Sequence, residues 1–226
     1  MKKTVSMLLA LLLLTVSLFA LAEGEAAGVR VLVQGHASLR VTTPEERIIY
    51  IDPYTGGGYD LPADLILITH GHSDHNAQYK VKNRAEGCRI ITQKEALADG
   101  IHQTFDLGYV TVEAVEAGNN KNHSLNSCVG YVLTFSNGST LYVSGDTSAT
   151  EQMAQLAERH LDAAFFCCDG TYNMGLEEAL QCAQLVGARV SIPYHETLLR
   201  ADAERKGITL PEGILIVQAG EEYIIE

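Results

Sequence analysis

Residues 65–75 read Leu65-Ile66-Leu67-Ile68-Thr69-His70-Gly71-His72-Ser73-Asp74-His75, four apolar residues running into a turn that holds three imidazoles and a carboxylate. An apolar run without polar alternation predicts a strand buried on both faces. His70 and His72, two positions apart in extended chain, point the same way and can grip one cation. Asp74 and His75, across the turn, can face a second. A loop that merely happens to be His-rich is a poor account of this segment, because the strand before it supplies the context a functional motif needs.

Upstream of this stretch, β-branched runs at 31–33, 39–42 and 48–51 predict strands. Downstream, the pattern predicts a helix over 76–84, a strand over 89–92, a short helix from Lys94 and a strand over 109–115. The polar loop Gly118-Asn119-Asn120-Lys121-Asn122 opens a second half, with strands at 129–135 and 140–144 joined by an Asn137-Gly138 turn. An amphipathic helix over 150–160 and a strand over 163–166 follow. Leu176, Ala179, Leu180, Ala183 and Val186 then keep helical spacing up to a terminating Gly187. A strand at 189–192, a helix after His195, and strands at 214–217 and 223–225 complete the chain. Two mixed, β-rich halves, each bearing helices, predict an α+β protein.

The remainder of the sequence limits what such a site can serve. Met1-Lys2-Lys3, an apolar run from Val5 to Leu21 and Ala20-Leu21-Ala22 follow the order of a signal peptide. Residues 1–22 are thus expected to be a leader and 23–226 a single domain, secreted or extracytoplasmic; an uncleaved leader would make it membrane-anchored instead. Removing two leader lysines from 16 basic residues leaves 14 against 28 acidic ones, so the net charge moves from −12 to −14. Such a surface repels phosphate backbones, so no nucleic acid is expected as partner, only a small-molecule substrate. The cysteines at 88, 128, 167, 168 and 182 show no Cys-x-x-Cys pair and no disulfide scaffold; most read as small core residues. His102 and His160 fit no motif and read as surface residues.

Further donors stand at strand ends: His123 after the Asn-rich loop, Asp146 in Ser144-Gly145-Asp146-Thr147, and His195 after Ile192-Pro193-Tyr194. Each alone is weak, since a single His or Asp near a turn is commonly a cap or a surface residue. Together with the 70–75 segment they suffice for two metal shells.

With these residues in place, the chain resembles the metallo-β-lactamase superfamily. The likeness is carried by Gly35-His36-Ala37-Ser38, Ile51-Asp52-Pro53, Thr69 to His75, His123 ahead of Val129-Gly130-Tyr131-Val132, Ser144 to Thr147 and Ile192 to His195. Its opening motifs are more similar to the small metal-dependent hydrolases that include ascorbate-6-phosphate lactonases than to the antibiotic-cleaving enzymes. The resemblance implies a four-layer αβ/βα sandwich with a dinuclear site at one edge. In it His70, His72 and His123 would hold metal one, Asp74, His75 and His195 metal two, and Asp146 would bridge. Asp74 would also be catalytic, passing a proton, and Asp52 would accept a hydrogen bond that fixes ligand orientation. The resemblance places His36 beside the site, to touch substrate or to serve a structural role, and the loop Thr171-Tyr172-Asn173-Met174 reads as the place for substrate contacts, through Tyr172. The donor set suits two divalent ions, zinc first, with manganese and iron compatible because no sulfur is present. One departure is Cys167-Cys168, where that branch more often has apolar residues and proline. The implied function is an exported hydrolase that activates water to cleave a small ester-like bond, such as a lactone, carboxylic ester or phosphoester. The alternatives are a β-lactamase and a non-catalytic ligand-binding member of the fold. A redox enzyme is disfavoured by His72, where an acidic ligand is typical.

Overall fold

Alternate residues of the central strands face opposite ways, and both faces are buried. Ile49 and Ile51 of β3 (Ile48–Ile51) and Leu65 and Leu67 of β4 (Ala63–Leu67) join the main core, while Ile48, Tyr50 and Ile66 pack with Ile68 in a second cluster. This is why the 65–68 run carries no polar alternation. A computed structural model describes residues 28–195, 204–205, 207 and 209–226. The leader at 1–22 lies outside the described residues, as does most of the helix expected after His195. Among the described residues no helix is long and apolar enough to cross a membrane.

Two six-stranded sheets sandwich the main core. The first comprises β1 (Val29–Gly35), β2 (Ser38–Thr42), β3, β4, β5 (Arg84–Ile91) and β14 (Glu222–Ile225), in the order β14-β1-β2-β3-β4-β5. The second comprises β8 (Thr104–Asp106), β9 (Val110–Glu116), β10 (Val129–Phe135), β11 (Thr140–Val143), β12 (Ala163–Cys167) and β13 (Val190–Tyr194), in the order β13-β12-β11-β10-β9-β8. Both sheets carry the same ladder pattern. From β14 to β3 every neighbouring pair is antiparallel and the β3–β4 and β4–β5 pairs are parallel. From β8 to β11 every pair is antiparallel and β11–β12 and β12–β13 are parallel. The two halves thus repeat one topology, with β1–β5 corresponding to β9–β13.

The outer layers differ. The second sheet is covered by α2 (Glu151–Leu156) and α3 (Leu176–Val186), which bury Met153 and Leu156, and Ala179, Cys182, Ala183 and Val186 respectively. Gly187 ends α3 with φ 62°, the left-handed C-terminal conformation its position predicts. The helix expected over 150–160 is α-helical only to Leu156, and a 3₁₀ turn continues to Arg159. Over the first sheet, the second cluster is roofed by Tyr59, Leu61 and Val81, and the buried Tyr50 hydroxyl lies 3.1 Å from the carbonyls of Gly58 and Leu61. The helix expected over 76–84 is a correction: only Gln78–Lys80 turn, as a 3₁₀ helix, and Arg84 opens β5. Ala77 and Val81 are the only residues of that stretch buried, too few to hold a helix down, and Asn76 and Asn83 favour turns.

Two smaller corrections follow from local chemistry. Asp99-Gly100, both left-handed (φ 53° and 75°), turn a hairpin between β6 (Leu97–Ala98) and β7 (Ile101–His102) that helix α1 (Gln93–Ala96) leads into. The strand expected at 214–217 is reduced to one parallel bridge from Ile214 to Ser191.

Candidate metal centre

The parallel strands of both sheets end at one edge of the sandwich, where crevices for ligands form in such sheets. Asp52 leaves β3, Thr69 to His75 leave β4, Asp146 leaves β11, Asp169 leaves β12 and His195 ends β13. His36 sits in the turn between β1 and β2, and His123 in the connection between β9 and β10. Local structure aims each one. Gly145 takes φ 61° beside Asp146, and a Cβ there would lie 2.8 Å from the Val129 carbonyl, so only glycine lets the turn pass that close. The Asn120 carboxamide oxygen accepts the Asn122 and His123 amides, both at 2.9 Å, which turns His123 inward. His36, Asp52 and His195 have φ of 51°, 46° and 74°, strain that non-glycine residues store mainly at functional sites.

The seven residues anticipated as ligands converge. His72 Nδ1 lies 3.0 Å from His70 Nε2 and 3.3 Å from His123 Nε2. Beside this trio, His75 Nε2 lies 3.4 Å from His195 Nε2 and 4.0 Å from Asp74 Oδ2. Asp146 stands between: Oδ1 is 3.1 Å from His195 and 3.4 Å from His75, and Oδ2 is 3.4 Å from His123. Bonds of about 2.0–2.1 Å at tetrahedral angles would set donors about 3.3–3.4 Å apart, so these separations fit shared cations. Asp146 Oδ1, His123 Nδ1 and His195 Nδ1 are buried with no hydrogen-bond partner among the described residues. For the Asp146 oxygen that is costly in a protein interior unless a cation satisfies it.

Electrostatics point the same way. Burial disfavours a charged His75, yet the Asp52 and Asp146 carboxylates outweigh it and push its pKa up to about 10. Burial, reinforced by His75, drives His70 down to about 2 and keeps its ring neutral. Burial opposes ionisation of Asp146, but the His195 and His75 rings close beside it overcome that and hold its pKa well below the carboxylate range. Burial, then His195, also lowers His36. Without a cation the cluster thus sets an ionised Asp146 and a neutral His70 beside a protonated His75, and a cation bound at His75 would take the place of its proton.

Asp52 is fully buried: it accepts the Thr69 amide at 2.7 Å and the Thr69 hydroxyl at 2.5 Å, and lies 2.8 Å from His75 Nδ1. That contact fixes which ring nitrogen faces the cluster. Asp169 escaped the sequence reading. Its Oδ2 lies 3.6 Å from His195 Nδ1, and its Oδ1 accepts the amides of Thr171 and Tyr172 at 2.8 and 2.6 Å. The readable signal was a carboxylate at the end of a predicted strand, as with Asp146. Asn173 was missed too; its Nδ2 donates to Asp146 Oδ2 at 2.7 Å and to Asp169 Oδ2 at 2.8 Å.

A cavity of about 370 Å³ opens over the cluster, and His36, Asn122 and Tyr172 form walls beyond the anticipated ligands. His36 and Tyr172 are therefore both at the cavity. Cys167 and Cys168 are buried; the Cys167 thiol bonds the Thr147 amide and carbonyl at 3.3 and 3.4 Å and so braces the turn that carries Asp146. All five cysteines are free thiols. His160 is exposed, whereas His102 is half-buried in the β6–β7 hairpin rather than at the surface.

A two-sheet sandwich with an imidazole–carboxylate cluster across one edge defines a metallohydrolase architecture. The chain belongs to the beta-lactamase superfamily: the family model described as "Beta-lactamase superfamily domain" matches residues 30–195. Among curated relatives, a UPF0173 metal-dependent hydrolase of Chloroflexus aurantiacus is 30% identical over 199 residues, covering 74% of this chain and 82% of the relative. Another, from a Geobacillus species, is 28% identical over 223 residues and covers 85% and 98%. A metallo hydrolase from the archaeon Ignicoccus hospitalis shares the fold with a TM-score of 0.65 at 18% identity, covering 88% of this chain and 99% of that one. The protein is thus a metal-dependent hydrolase with the metallo-β-lactamase fold, acting on a small-molecule substrate.

Proposed function

We propose that the protein is an exported hydrolase that uses two divalent cations, zinc foremost, to cleave a small ester-like bond in a lactone, carboxylic ester or phosphoester. The observation that carries this reading is the double convergence of donors on Asp146, with the His70–His72–His123 trio on one side and Asp74, His75 and His195 on the other. Two cations held there supply acidification of water and polarisation of the scissile carbonyl or phosphoryl group.

The chain's own residues do the rest. Asp74 is half-buried at the cavity, so it can take a proton from the attacking water and return it to the leaving oxygen. Burial opposes its ionisation, but His75, a backbone hydrogen bond and His36 together lower its pKa, so it stands ionised and able to accept a proton. Asp52 holds His75, and Asp169 with Asn173 holds His195 and Asp146, so the donors meet the substrate without reorganising. Tyr172, largely exposed at the rim, and Asn122, whose amide donates to the Tyr172 carbonyl at 2.9 Å, form the wall a substrate meets first. The basic-apolar-small order of residues 1–22 supports export.

The test is to count metals in the purified protein and to assay lactones, carboxylic esters, phosphoesters and β-lactams in parallel. Two cations per chain with turnover of an ester-like substrate support the reading. Fewer than one cation per chain, or Asp74→Ala turning over at the wild-type rate, defeats it; turnover confined to β-lactams refutes the substrate class. N-terminal sequencing of secreted protein beginning near Glu23 supports export, and retention in the cytoplasm refutes it.

A further inference from the structure

We propose that His36 is a ligand of the second cation, supplied by the β1–β2 turn just as His123 is supplied to the first by the β9–β10 connection. The inference rests on the two-cation reading above. Donor atoms of His36, Asp74, His75 and His195, one from each, lie within 4.8 Å of one another. The distance from His36 Nε2 to Asp74 Oδ2 is 3.2 Å, close to the edge of about 3.3–3.4 Å that a tetrahedral zinc imposes on its donors. Within the first trio the corresponding separations are 3.0 and 3.3 Å.

Topology gives the independent reason. The two sheets repeat one ladder pattern, and in that repeat the β1–β2 turn corresponds to the β9–β10 connection. Each connection carries one histidine to the shared edge, where His123 joins His70 and His72, and His36 joins Asp74, His75 and His195 beside the shared Asp146.

The turn is also built to hold its side chain still. The His195 amide donates to the His36 carbonyl at 3.1 Å, tying the first sheet's turn to the end of β13. Two residues on, the Ser38 hydroxyl donates to the Asp52 carbonyl at 2.7 Å and accepts the Tyr54 amide at 2.9 Å, tying it to the loop that also orients His75. A residue that only brushed substrate would need neither the left-handed backbone at His36 nor anchors to both of metal two's flanks.

Replacing His36 tests this. His36→Asn keeps a residue tolerant of left-handed backbone and withdraws the imidazole. Titration with zinc or cobalt is expected to leave the first cation at wild-type affinity and to raise the second Kd at least about tenfold, the lower bound seen when even supporting groups around a metal are lost. An unchanged second Kd, beside a wild type that binds two cations, overturns this assignment alone. A wild type that binds fewer than two cations overturns it together with the dinuclear reading. If His36→Asn fails to fold, an anomalous-difference map of the cobalt-loaded wild type decides. A cation within about 2.2 Å of His36 Nε2 supports ligation, and one beyond about 3 Å refutes it.

Discussion

The first and second sheets repeat one strand pattern but equip the site in opposite ways. From the first come His70, His72, Asp74 and His75 in one short run after β4, steadied by the fully buried Asp52. From the second come Asp146 and His195 after strand ends and His123 from the β9–β10 connection, each singly, steadied by the largely buried Asp169. Among the described residues the outer cover differs too, loops and one 3₁₀ turn over the first sheet against α2 and α3 over the second. Repetition of topology thus constrains where a site can form, at the shared edge, without dictating how each half fills it.

The largest expected effect comes from asking whether the halves act as one unit. His70→Ala and Asp146→Ala should each lower kcat/KM on the substrate found by the screen by on the order of a thousandfold or more. The double variant should fall little further, because groups that act together are non-additive. Losses that multiply would mean that the two halves contribute independently. Next comes the loop roof. Ile66→Ala, beneath that roof, should cost about 2–5 kcal/mol of stability by denaturant unfolding, as for a helix-covered core. A cost under about 1 kcal/mol would show that the loop layer packs loosely and that the first half is the weaker one.

The supporting carboxylates give a finer contrast. Asp52→Asn and Asp169→Asn should each weaken metal affinity, within about 10–100-fold. Asp52 should lie at the upper end, since it is buried 2.8 Å from its histidine, where Asp169 is 3.6 Å from His195. Equal losses in metal titrations would erase the distinction between the halves.

A pH profile of the chelator-stripped protein probes two of the first sheet's histidines directly. His70 stays neutral down to about 2 when folded, so below its ordinary 6.5 the unfolded chain binds a proton that the folded one does not, and stability falls as pH drops. His75 keeps its proton up to about 10, so between 6.5 and 10 the folded chain holds the extra proton and stability falls as pH rises. Each limb has a limiting slope of about 1.4 kcal/mol per pH unit. Unfolding midpoints should therefore peak near pH 6.5, and cations should flatten the alkaline limb by replacing the proton on His75. A stripped protein whose midpoint is flat from pH 6.5 to 10 would contradict the His75 assignment.

What the sequence revealed follows the same divide. The 65–75 segment was legible because strand, turn and donors are contiguous, so period and residue type coincide locally. Asp146 and His195 were legible as donors at predicted strand ends. Asp169 stands at such an end as well, yet a carboxylate before Gly170 reads equally as a turn cap, and it is one: Oδ1 caps the turn while Oδ2 faces His195. Asn173 and Asn122 act only through contacts made in the folded chain, which no local pattern encodes. The helix expected over 76–84 failed because Ala77 and Val81 matched a helical period by chance while the neighbouring residues favoured turns. Asp99-Gly100 was a hairpin signal passed over between the short helix from Lys94 and the strand expected at 109–115.

The last strand offers a route to rewiring. β14 follows the second sheet in the chain but pairs with β1, placing Ile225 opposite Val29. A short linker between them would make β14–β1 an ordinary hairpin, and a new opening after β7 would then leave each half contiguous in sequence. Expressed as two fragments, such halves would share the main core and the edge where donors from both meet. Reassembly should then be cation-dependent, and association indifferent to a chelator would show that the core alone joins them.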